Sequence, residues 1–230
     1  MPLAVPTEPR HRTKHQFVYR TLREAIIRCE LPPGERLVID DVARRFEVSI
    51  IPVREALRLL QSEGLVVNVP HVGVTVAAVS RDSILEVFTI LEGLEVVATR
   101  AAAPRATSSD VEQLADVVRE MDMALTSGRY EHWAELNRRF HLSISGLAAM
   151  PMLQEMMERT LDRWDRVRRA HFAGVFVHRT DQAQAEHHEL LEQIRSRDLE
   201  RLEQTIRRHN QGAFASYTAF LDAANLEARA

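Results

Sequence analysis

Apolar positions recur at helical spacing along most of the chain and alternate like strands over one short stretch only. Val18, Leu22, Ala25, Ile26 and Cys29 make one stripe of a helix over residues 15–31, which Leu31-Pro-Pro-Gly34 ends. Residues 40–46 read as a short amphipathic helix capped by a carboxylate. Glu47-Val-Ser49 is a turn of the length that joins a helix-turn-helix pair. In the next helix Ser49 is a good N-cap and Pro52 sits in the first turn, where a missing N–H costs nothing. Its Val53, Ala56, Leu57 and Leu60 share one face, and Gly64 closes it. β-Branched runs at 65–69 and 74–79 flank Pro70-His-Val-Gly73, which predicts a hairpin, with 37–39 as a third short strand.

Beyond Ser80 only helical periodicity remains. Ser80 caps a helix to about residue 103, with Ile84, Leu85, Phe88, Leu91, Leu94 and Val97 inside, and Pro104 stops it. Thr107-Ser-Ser-Asp110 is a capping-box start for a helix ending before Gly128. Further helices are expected over 130–147, 151–172 and 180–195, with 174–179 a loop. A last one, capped by Asp198, reaches about 223. The fold class is therefore mainly α: a winged helix-turn-helix over 15–79, then an all-α antiparallel bundle over 80–230. Residues 1–14 lack apolar periodicity and read as a disordered arm.

Composition changes this picture little, and charge changes it more. Hydrophobic residues make 45% and charged residues 27% of 230, as in an ordinary globular chain. A single cysteine, Cys29, permits no internal disulfide. No run resembles a signal peptide or reaches membrane-spanning length, so the cytoplasm is the expected compartment. The net charge of −3 hides an asymmetry: residues 1–79 hold 11 basic and 9 acidic side chains, the remainder 19 and 24. Only Lys14 among the 30 basic residues is a lysine.

Helix, turn, arginine-bearing helix and hairpin suit a reader of duplex DNA, although the same pattern also describes ordinary packing with arginines on a solvated face. Pro32-Pro-Gly-Glu-Arg-Leu37, Pro52-Val-Arg-Glu-Ala-Leu57 and Glu63-Gly-Leu-Val66 resemble, in order and spacing, the amino-terminal domain of GntR-family transcription regulators. The bundle is similar to the FCD effector domain of the FadR-like subclass. The resemblance implies a homodimer on a double-stranded operator. The DNA-facing residues expected are Arg44 and Arg45, then Ser49, Ile50, Ile51, Pro52, Arg54 and Arg58, and in the wing His71 and Gly73. Arg54, in the first turns of the second helix, is expected to read a base, and Arg58 or Arg44 mainly phosphate. Two departures stand out. Ile50 and Ile51 occupy positions where relatives usually carry an arginine and a Thr or Ser, and Asn68 and Val72 stand where wing arginines are common.

Asn137 and His141 lie four apart on one helix, and His187 and His209 fall on two later ones. An amide oxygen with three imidazoles suits Zn²⁺, Ni²⁺ or Mn²⁺ and leaves coordination positions open. Among ten histidines, spacing alone reads as readily as surface or core residues. Leu136-Asn-Arg-Arg-Phe-His141, Ala185-Glu-His187 and Arg207-Arg-His209 resemble the metal-binding segments of FCD domains. That resemblance implies Asn137, His141, His187 and His209 as ligands, His188 pointing about 100° away, and His171 and His178 as substitutes. It also implies a small organic-acid effector, with Phe88, Arg100, Arg163 and Arg166 as candidate contacts. Phe88 replaces an arginine common in relatives, which favours a monocarboxylate with an apolar or aromatic body over a dicarboxylate. A metal-dependent enzyme with a winged interaction domain is the alternative. No protease, P-loop or dinucleotide motif supports it.

Overall fold

The computed structural model describes residues 13–170 and 172–227, with side chains over 13–170 and 179–223. Residues 1–12 and His171, and the side chain of His178, lie outside these, so the arm and the two substitute histidines are not described. The chain forms two compact units, one running to Ser80 and including Asp165–Ala170, the other Arg81–Trp164 with His171–Ala230.

The first unit contains α1 (Lys14–Ile27), α2 (Ile39–Arg45), α3 (Ile50–Ser62) and a hairpin of β1 (Val66–Val69) and β2 (Gly73–Val76). Its core joins Val18, Leu22 and Ile26 of α1 to Val53, Ala56 and Leu60 of α3. Burying such side chains stabilises by about 1.5–3 kcal/mol each. Tyr19 and Arg23 of α1 both bond the carboxylate of Glu63 just beyond α3, Arg23 at 2.8 Å. In the wing, Val66 pairs with Val76 and Val69 with Gly73. His71 (φ 63°) and Gly73 (φ 99°) take the left-handed conformations that turn the chain.

Several expected details differ. α1 begins at Lys14 and ends at Ile27, so Cys29 lies past the helix at φ 56°. α2 starts at Ile39 behind Val38, and Asp40 and Asp41 occupy its first turn, favourable to the helix dipole, with no side-chain cap. Ser49 holds the N-cap position of α3 with extended backbone but makes no side-chain cap bond. The third strand is reduced to one bridge, Arg36 to Thr75, with Leu37 N–H donating to Val74, because Ile39 is already helical.

The second unit holds α4 (Arg81–Ala102), α5 (Ser108–Thr126), α6 (Tyr130–Leu147), α7 (Pro151–Ala170) as far as Trp164, α8 (Phe172–Ser196) and α9 (Leu199–Glu227). α4 packs on α6 and α9, α5 on α6 and α8, and α8 on α9. The capping box forms: Thr107 Oγ1 accepts from Asp110 N–H, and the Asp110 carboxylate accepts from Thr107 N–H at 2.9 Å. Asp198 caps α9 by accepting from Arg201 N–H. Residues 174–179, expected as a loop, lie inside α8. No proline interrupts them, and a lone glycine costs a helix only about 1 kcal/mol. On α4, Leu85 and Val97 are about half exposed, while Val87, Glu95 and Ala98 are buried. The buried stripe is thus offset from an all-apolar one and runs through a carboxylate. Among the described residues no helix is long and apolar enough to cross a membrane.

Candidate functional site

In the first unit, packing of α3 decides what faces outward. With Val53, Ala56, Leu57 and Leu60 buried, Ile50, Ile51, Arg54 and Arg58 are exposed, Ile51 at 69%. Ser49 is exposed and Pro52 half-buried. On α2, Arg44 is exposed and pairs with Asp41 at 3.2 Å, whereas Arg45 is half-buried. His71 is exposed at the wing tip and Gly73 opens β2. An exposed helix face carrying two arginines beside a wing matches in form the element that enters a major groove.

The second unit brings three histidines together. α6 presents His141, α8 His187 and α9 His209, all buried, with one ring nitrogen of each within 4.8 Å of the others. Ring centroids are 5.4 Å apart for His141–His187 and His141–His209, and 4.9 Å for His187–His209. Asn137, one turn before His141, is buried and lines the same cavity as His141 and His209.

Each Nδ1 already has an oxygen partner: Glu95 at 2.7 Å from His141, Glu186 at 2.8 Å from His209, and Gln184 at 3.4 Å from His187. Gln184 is held in turn by Trp133 Nε1 at 2.9 Å and by Asp122 at 2.8 Å. An ionised carboxylate can only accept, so Nδ1 of His141 and of His209 faces it as the donor, which turns Nε2 to the side where a ligand nitrogen is needed. His187 Nε2 is buried without a hydrogen-bond partner among the described residues. Burial pushes the His187 imidazole well below its ordinary pKa, helped by His209, His141, Arg179 and His188. Burial also lowers His209, over the raising effect of Glu186. Burial raises Glu95 and Glu186, but His141 outweighs this for Glu95, and His209 with Arg179 for Glu186, so both carboxyls end below their usual range. Neutral imidazoles backed by ionised carboxylates are the protonation state a divalent metal requires. The donor set fits one.

Beside the histidines lies a cavity of about 40 Å³, lined further by Phe88, Trp164 and Arg179. A water needs roughly 10–15 Å³ of such space, so the cavity takes a few water-sized groups. Phe88 packs against Tyr217 at 5.7 Å and Phe214 at 6.4 Å, giving one wall an aromatic character. A wider surface groove along α5 and α6 is rimmed by charged side chains and contains none of these groups.

Of the four candidate effector contacts only Phe88 lines the cavity. Arg100 is exposed and donates to Glu203 at 2.9 Å, Arg163 lies 4.0 Å from Glu86, and Arg166 donates to the Ala77 carbonyl. The helical phase that turns Leu91 and Glu95 inward turns Arg100 outward. Arg179 stands in the cavity instead. Sequence reasoning also missed Glu95, Glu186, Gln184 and Asn210, which donates to Glu95 at 2.6 Å. A signal existed for Glu95: it falls in register with Leu91 and Ala98 on a buried stripe.

Comparison with known proteins adds the family. Residues 14–76 match the bacterial regulatory proteins of the gntR family, and residues 86–212 match the FCD domain. The HTH-type transcriptional repressor RspR of Escherichia coli K12 is 28% identical over 206 residues, covering 90% of this chain and 88% of that protein. The HTH-type transcriptional regulator McbR of the same strain is 34% identical over 128 residues, 56% of this chain and 58% of its own. The solved E. coli McbR/YncC structure superposes with a TM-score of 0.73 at 25% identity, over 91% of this chain and 99% of that one. A putative GntR regulator from Rhodococcus sp. RHA1 shares the fold, with a TM-score of 0.73 at 21% identity over 90% and 98% of the two chains. With a winged helix-turn-helix ahead of a helical bundle, and matches covering both, the chain belongs to the gntR family and is a transcriptional regulator of the GntR/FCD type.

Proposed function

We propose that this regulator is a cytoplasmic homodimer that binds a near-palindromic DNA operator, and that its bundle holds a divalent metal and a small monocarboxylate effector. Asn137, His141, His187 and His209 are the ligands of this reading, with zinc, nickel or manganese as the metal. One observation carries it: three buried imidazoles turned towards one another, each with Nδ1 engaged by an oxygen and, at His187, Nε2 left without a partner. A buried polar nitrogen without a partner costs about 1–3 kcal/mol. A bound metal supplies positive charge that attracts an anion in a low-dielectric interior. The chain's own part is to hold the His187 and His209 imidazoles neutral, to keep bulk water out of a narrow cavity, and to offer an aromatic wall at Phe88. On the DNA side, Arg54 reads a base, with Arg58 or Arg44 on phosphate.

Melting the protein with and without chelator tests the reading. Metal at a hundred times its Kd should stabilise the fold by about 2.7 kcal/mol. His187→Ala should erase the difference. His188→Ala should keep most of it, since that ring is exposed on Asp122. A wild-type melt indifferent to zinc, nickel and manganese would sink the proposal.

A further inference from the structure

Arg179 is the least explained side chain of the bundle. It is buried, with a side-chain exposure of 9%, and lines the cavity beside His209. Its Nη2 donates to Glu186 Oε2 at 2.6 Å and to the His209 carbonyl at 3.1 Å. Its Nε and Nη1 are buried and have no hydrogen-bond partner among the described residues. The guanidinium has a place prepared for it: a Cβ at Gly212 would stand 3.0 Å from Nη2, 3.3 Å from Nε and 3.4 Å from Cζ. The bare glycine of α9 lets the guanidinium lie against it, where a Cβ would push it away by a few tenths of an ångström. A buried guanidinium fixed along one edge, with donors unsatisfied elsewhere, is arranged for an acceptor the chain does not supply.

Charge says which acceptor. Among the described residues of Arg81–Trp164 and of α8 and α9, the buried ionised side chains are Glu95, Glu186 and Arg179. Together they carry one net negative charge. A divalent metal at neutral histidines turns that into one net positive charge, which a monoanion cancels and a di- or trianion overshoots.

We propose that Arg179 is the anion anchor of the bundle, its Nε and Nη1 binding the carboxylate of a monocarboxylate effector whose apolar body lies along Phe88 and Tyr217. The inference rests on the metal-and-effector reading above and adds the residue that selects the ligand. Arginine at this point of α8 takes up the recognition that Phe88 cannot provide from α4. Gly212 and Glu186 are positioning residues for it.

Calorimetric titration of the zinc-loaded full chain with propionate and with citrate tests the assignment. The wild type should bind propionate more tightly than citrate. Arg179→Gln should weaken propionate by about 10- to 100-fold, the loss expected for charge-assisted hydrogen bonds, while keeping the zinc-dependent melting shift. Arg179→Lys, which keeps the charge and loses the planar fork, should fall between. Gly212→Ala leaves Arg179 in the sequence but shifts its guanidinium, and should weaken propionate as well; it decides the question if Arg179→Gln does not fold. Unchanged propionate affinity in Arg179→Gln, or in Gly212→Ala where that variant must decide, would overturn the anchor alone. Tighter binding of citrate by the wild type would overturn the monoanion assignment. A wild type that neither takes zinc nor binds either acid would overturn the function as well.

Discussion

Two of the three clustered imidazoles, His187 and His209, are held neutral against water's preference, and this has a signed consequence for stability. Both fold with pKa values below the ordinary one, chiefly through burial. On unfolding they return to about 6.5, so below that pH the unfolded chain binds more protons and the fold loses stability. Above about 6.5 they contribute no slope. Glu95 and Glu186 are also lowered, but they act only as pH falls through the carboxylate range. Chelator-treated protein should therefore show a lower urea midpoint at pH 5.5 than at pH 7.5, and added zinc should raise the pH 7.5 midpoint at least as much as the other, because protons compete for the same nitrogens. An identical midpoint at the two values would contradict the burial of these rings. At this scale the sequence was informative about which side chains cluster and uninformative about what orients them. Asn137 and His141 stand a turn apart on one helix, which spacing reveals. Glu95 is marked only by its register with Leu91 and Ala98, and no comparable local spacing sets Glu186 or Arg179 apart from the chain's other charged residues.

Helix boundaries were legible where chemistry marks them locally. Thr107 and Asp110 close a reciprocal cap, and Asp198 caps α9, each as its residue type suggests. Thr107→Ala should remove the cap of α5 and cost about 1 kcal/mol, which a denaturant melt would register as a lower midpoint at unchanged slope. Unaltered stability would show that the first turn of α5 is held by packing alone. Other signals misled because tertiary contacts override propensity. Ser49 has the identity and backbone of a cap without its bond, and Gly174 did not break α8. On α4 the apolar residues Leu85 and Val97 suggested a face that burial does not respect. A helix chooses its inner face by what the neighbouring helices need, and here α9 and α6 need Glu95 for Asn210 and His141.

At the scale of the whole molecule, fold class was the most accessible feature, because the strand-like alternation is confined to 65–79 and every later segment has helical period. Effector action was the least accessible, since a ligand shifts an equilibrium only by its differential affinity for two states. The proposed dimer carries one reading helix per chain, so operator half-sites should lie about one helical turn apart, related by a twofold axis. Sedimentation and selection of bound sequences would check this. A monomer both free and on DNA would contradict it, as would a single asymmetric site. Exposed Ile50 and Ile51 at the head of α3 add no charge, so each should reduce the salt slope by comparison with an arginine.

The exposed cations of the reading face described above, Arg44, Arg54 and Arg58, are all arginines, and the chain's one lysine opens α1. Acetyl groups transferred to lysine amines remove a positive charge, and guanidinium groups do not undergo that reaction under cellular conditions. The grip of this face on a phosphate backbone is therefore insulated from lysine acetylation, whose only side-chain target here is Lys14. Metabolic states that raise acetyl donors would leave the charge of this face unchanged.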